Sequence, residues 1–168
     1  MKLPVVPPPQ DDAPWYADGL QFGCTQCGNC CTGPPGYVWL SDVEVERFSA
    51  HLKIDAVTFV KTYCRRIGNG LSLKERKSPA GEYDCIFLKE ITPPGGGPSR
   101  RVCGVYDVRP LQCRTWPFWD GLLASREDWD AAKPRCPGLD RGRHYTREQI
   151  EALRDAADWP TGKVPGSV

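Results

Sequence analysis

Cys24-Thr25-Gln26-Cys27-Gly28-Asn29-Cys30-Cys31 decides how this chain is read. A two-residue gap lets successive sulfurs turn onto one metal, and Gly28 supplies the freedom for the backbone to curl back. Thiolates attract soft or borderline metals. The surrounding segment, Gln21 to Gly36, is broken by glycines and prolines. It leaves no room for a helix and reads as a loop wrapped around something. A radical-enzyme run would begin with a three-residue gap, and this one does not.

Outward from that run stand Cys64, Cys85, Cys103, Cys113 and Cys136, single and widely spaced, making nine cysteines in 168 residues. A zinc ribbon needs a second close pair, and a two-cluster ferredoxin needs a second run. Neither template fits. One site of mixed ligands and two four-coordinate sites both stay open. The N-terminus, Met-Lys-Leu-Pro-Val-Val-Pro, has no secretory apolar stretch and no cleavage site. That reading predicts a cytoplasmic protein with reduced thiols, and the odd cysteine count also argues against a full disulfide framework. The formal net charge of +1 gives no strong nucleic-acid signal. No apolar run approaches the roughly 18 residues a membrane span requires.

Residues 1–19 read as a Pro-rich arm, 20–160 as one cysteine-cluster domain and 161–168 as a tail. Tyr37 to Leu40 reads as a short strand. Ser41 and Glu44 have capping-box form, opening a helix over 42–51. A second helix is expected from Asp55 to Arg66, ended by Gly68 and Gly70. Leu71–Lys74 and Tyr83–Lys89 read as strands of one hairpin, with a turn at Ser78–Gly81. Pro93–Pro98 is a surface loop without the Lys-Ser/Thr of a phosphate cradle. Helices are expected at Ser125–Ala132 and, behind a Thr146/Gln149 capping box, to Pro160. The fold class is α+β: one small domain with short helices, a small antiparallel sheet and cysteine loops organised around metal.

Phe22 to Cys31 resembles the signature of the YkgJ-type CxxCxxCC cysteine-cluster family, described as zinc- or iron-chelating. Cys85-Ile86-Phe87-Leu88, Cys103 to Pro110 with its Arg109-Pro110, Cys113-Arg114-Thr115-Trp116-Pro117 and Cys136-Pro137-Gly138 are similar to its later blocks. The resemblance covers about residues 20 to 140. It implies eight metal-ligand candidates: Cys24, Cys27, Cys30, Cys31, Cys85, Cys103, Cys113 and Cys136. Cys64 lies outside the pattern and reads as a small buried residue. Members carry the labels iron–sulfur oxidoreductase, metal-chelating protein and flagellin lysine N-methylase.

Arg109 and Arg114, beside ligand candidates, could offset thiolate charge or pair with Asp107. Trp116, Phe118 and Trp119 could exclude water from a centre or simply pack a core. His51 and His144 lack partner spacing for a metal. No motif marks an acid–base pair, a nucleophile or a methyl-donor pocket. The expected function is metal binding, with an iron–sulfur or iron centre in a redox or oxidative role preferred to a zinc-stabilised, non-catalytic module. The methylase label ranks below both. A redox or protein partner is expected, of unspecified identity.

Overall fold

The protein is described here by a computed structural model covering residues 13–156. Most of the N-terminal arm, the C-terminal tail and the end of the last expected helix lie outside the described residues. Along the chain run β1 (Leu20–Phe22), a 3-10 turn (Asn29–Cys31), β2 (Trp39–Leu40), α1 (Asp42–Leu52), α2 (Ala56–Tyr63), β3 (Cys64–Ile67) and β4 (Gly70–Leu73). Then come β5 (Glu75–Lys77), β6 (Tyr83–Cys85), β7 (Leu88–Ile91), β8 (Arg100–Cys103) and a 3-10 turn (Tyr106–Val108). They are followed by α3 (Leu111–Thr115), α4 (Asp120–Leu123), α5 (Arg126–Ala131), β9 (Arg143–Tyr145) and α6 (Arg147–Asp155). The fold is a small α+β domain, and its strands form several small antiparallel sheets, not one.

Local chemistry explains the helix starts. Ser41 accepts from the Glu44 amide while the Glu44 carboxylate accepts from the Ser41 amide, closing the expected capping box. Thr146 and Gln149 repeat it at α6. Asp55 caps α2 by accepting from the Thr58 amide at 2.8 Å. Such caps contribute about 1 kcal/mol each.

Three expectations for the middle of the chain need correcting. α2 stops at Tyr63, and Cys64–Ile67 is strand β3, paired with β4 from Cys64↔Leu73 to Ile67↔Gly70. Gly68, at φ 56°, therefore turns a hairpin with Asn69, Gly70 opens β4, and neither glycine ends a helix. β4 pairs with β2 and β3 and does not form the expected hairpin with Tyr83–Lys89. That segment is broken at Ile86-Phe87, where Phe87 turns inward, so β6 pairs with β5 and β7 with β8. The cysteine loop also contains the Asn29–Cys31 turn and the strand β1.

Two apolar clusters result. One gathers α1, α2 and the central strands around Phe48 and Phe59, both 0% exposed. Phe48 stacks on Phe59 at 5.2 Å and on Phe87 at 5.4 Å, and Tyr63 stacks on Phe87 at 4.9 Å. Burying each such ring stabilises by roughly 1.5–3 kcal/mol. The other joins both ends of the described chain: Tyr16, Leu20 and Phe22 with Phe118, Trp129, Leu139 and Ile150. β1 pairs with β9 to close it. The Gly23 amide donates to the Gly138 carbonyl at 3.1 Å. A Cβ on Gly138 would stand 2.1 Å from the Gly23 carbonyl oxygen, so only glycine allows this approach. Among the described residues no helix is long and apolar enough to cross a membrane.

Candidate metal centre

The eight cysteines of the sequence pattern line one cavity of about 50 Å3. It sits where the two apolar clusters meet. Phe22, Trp116 and Cys136 come from one side, and Leu73, Val105, Cys85 and Cys103 from the other. A water needs about 10–15 Å3 of such space, so there is room for more than one atom-sized guest. Cys64 is elsewhere, 5% exposed in the first cluster, on a strand instead of the expected helix.

Each sulfur is placed by a short element. Gly28, at φ 73°, caps the turn that presents Cys30 and Cys31. A Cβ there would lie 3.0 Å from Arg101 Cβ and Leu88 Cδ1. Cys85 ends β6 and Cys103 ends β8. Cys113 lies on α3, which is docked by two side chains. Glu44 Oε1 accepts from the Leu111 amide at 2.6 Å. Gln112 accepts from the Trp39 amide and donates to the Tyr37 carbonyl. Asn29 ties the cysteine segments together: it donates to the Arg135 carbonyl at 3.0 Å, and its Oδ1 accepts from Arg101 at 2.8 Å. Arg135 returns a bond to the Thr32 carbonyl.

The sulfurs interact with one another. Cys30 and Cys31 Sγ are 3.9 Å apart. Hydrogen bonding to Cys103 and to Cys30 pushes the Cys31 thiol far up. Hydrogen bonding with Cys31 is in turn the main cause holding Cys30 down at about 7 and Cys103 at about 6, with Arg109 assisting. Burial pushes Cys85 up to about 11 and raises Cys113 well above its ordinary value. Burial also raises Cys136, opposed by the Trp116 indole N–H, which donates to its sulfur at 3.3 Å. Arg109 donates to Cys24 Sγ at 3.9 Å and to the Tyr106 carbonyl, over the Tyr106 ring at 3.7 Å. Burial, then a hydrogen bond to Cys24, raises the Tyr106 phenol. Arg114, by contrast, is exposed and donates to the Arg109 carbonyl, not to sulfur.

The donor set fits a soft or borderline metal, because it is all sulfur. The 3.9 Å between Cys30 and Cys31 is close to the edge of about 3.8 Å expected between thiolates on tetrahedral zinc. Among the described residues no three His, Cys, Asp or Glu side chains stand ready-made as the shell of one ion. The sulfurs line walls instead of meeting at a point. Neither His51 nor His144 lines the cavity; His144 bonds the Asp18 carbonyl.

Glu44, Gln112 and Asn29 were not singled out from the sequence as site-building residues. Asn29, polar and set between Cys27 and Cys30, was the one with a visible signal.

An all-cysteine cavity built from distant segments defines a cysteine-cluster metal-binding protein. The chain belongs to the CxxCxxCC family, a "putative zinc- or iron-chelating domain", which matches residues 23–137, more than half its length. It is also 32% identical over 103 residues to an uncharacterized protein of Methanocaldococcus jannaschii. That match covers 61% of this chain and 48% of the relative, so the chain spans about half the relative's length. No solved structure matches.

Proposed function

We propose that this protein carries a polynuclear iron centre, most simply an iron–sulfur cluster, held by Cys24, Cys27, Cys30, Cys31, Cys85, Cys103, Cys113 and Cys136. Its role on this reading is electron transfer or oxidative modification in a reducing compartment such as the cytoplasm. One observation carries it: eight sulfurs line one cavity, twice the four that a tetrahedral ion takes. A bound cluster would supply one-electron chemistry. The chain's own groups provide its setting. The Arg109 guanidinium offsets thiolate charge, the Trp116 indole N–H donates to sulfur, and Phe22, Leu73 and Val105 restrict water.

A second reading is a structural zinc module, favoured by the tetrahedral-edge spacing of Cys30 and Cys31. Zinc would then join two small clusters and contribute folding energy. Oxygen-free purification separates the two. The iron reading expects a coloured protein that Cys27→Ser or Cys113→Ser bleaches and Cys64→Ala leaves coloured. A colourless, fully folded protein with stoichiometric zinc overturns it.

A further inference from the structure

A second chamber, about 180 Å3, backs onto the cysteine cavity. Cys30, Cys31, Cys85 and Cys113 line both, together with Leu73 and Trp116, so a wall rich in cysteine separates them. The second chamber is larger than the roughly 150 Å3 cavity that accepts benzene. Its other walls mix aromatic and polar side chains: Tyr37, Tyr83, Trp116 and Trp119 stand beside Lys74, Glu75 and Gln112.

The charges around it are unequally committed. Glu75 accepts from Arg65 at 2.8 Å and from the Gly36 amide at 3.1 Å. The Lys74 ammonium donates to the Lys61 and Thr62 carbonyls. Arg135 also lines both cavities, is exposed, and bonds the Thr32 carbonyl through Nη2. Among the described residues no carboxylate lies within ion-pair distance of Arg135. A guanidinium with N–H groups to spare prefers a planar carboxylate, which it binds bidentately. Aromatic faces prefer a flat, apolar body.

We propose that this chamber binds a small planar carboxylate, its ring among the aromatic faces and its carboxylate on Arg135, against the cysteine wall. Only the last clause rests on the metal reading. The wall places the ligand beside the centre on the side away from Cys24 and Cys27, which line the first cavity alone.

The test uses the full chain loaded with Co2+ and three probes of one shape: benzoate, benzyl alcohol and benzylammonium. Tryptophan fluorescence reads occupancy, and the cobalt visible bands read contact with the centre. Benzoate is expected to quench the fluorescence saturably and shift the bands, at least about tenfold tighter than the other two. Arg135→Gln should erase that preference while a ring-only affinity remains. Equal affinities, or tighter benzylammonium, overturn the carboxylate assignment even if the variant fails to fold. Quenching without a cobalt shift overturns the shared wall. Absent thiolate–cobalt bands refute a zinc-type thiolate site, with the fluorescence ranking still deciding the chamber.

Discussion

Glu44→Ala tests whether the first helix builds the sulfur cavity at a distance. Glu44 is 7% exposed and serves two elements at once. Its Oε2 closes the capping box on Ser41, and its Oε1 accepts from the Leu111 amide at 2.6 Å, seating the helix that carries Cys113. Truncation removes a cap contribution of about 1 kcal/mol. It also orphans a half-buried backbone donor, costing about 1–3 kcal/mol. The expected loss is therefore about 2–4 kcal/mol, a fall of roughly 1–2 M in the urea midpoint with an unchanged slope. Glu44→Gln keeps an acceptor and should lose about 1 kcal/mol. The assays are urea unfolding of the reduced, metal-free protein and, separately, metal loss from the loaded protein to a chelator. Because α3 carries Cys113, metal should leave faster from Glu44→Ala than from wild type. A destabilisation below about 0.5 kcal/mol, with wild-type metal retention, would refute the positioning role.

Gly28→Ala forces an alanine into φ 73°, with its Cβ 3.0 Å from Arg101 and Leu88; a loss of about 1–3 kcal/mol by thermal melting and weakened metal retention are expected. Cys64→Ala should leave metal content unchanged. Burial pushes the Cys64 thiol up to about 11, so its stabilising contribution is full below about 9 and is lost as pH rises through 11. The variant should show less alkaline destabilisation over that window. Trp129, 0% exposed, donates to Asp140 at 2.8 Å, so Asp140→Ala should cost about 1–3 kcal/mol in urea unfolding. Burial opposes ionisation of Asp140, but bonds from Lys133 and Trp129 hold its pKa down. Its contribution is thus present above the ordinary carboxylate range and lost on acidification through it, an acid dependence that the variant should reduce.

What was legible in the sequence was local. Ser41/Glu44 and Thr146/Gln149 announce their helices because a cap needs only three residues' separation. The Asp55–Arg66 expectation overran because apolar spacing continues past Tyr63, while pairing of Cys64–Ile67 with β4 overrides it. The break at Ile86-Phe87 arises from tertiary bonds: the Ile86 amide donates to the Lys74 carbonyl and the Gly104 amide to the Phe87 carbonyl. For the site, the close run Cys24–Cys31 was readable from spacing, but the convergence of Cys85, Cys103, Cys113 and Cys136 was not. It depends on four separate elements packing, and only the family resemblance anticipated it. Glu44 and Gln112 were silent because one looked fully used as a cap and the other has no local partner.

The most direct measurement is metal and acid-labile sulfide per chain in protein purified without oxygen. The account predicts more than one iron per chain, with sulfide, and all eight cavity cysteines protected from alkylation until the metal is removed. A folded chain holding one zinc or less, no iron, and cavity cysteines that alkylate freely or are paired as disulfides would contradict it.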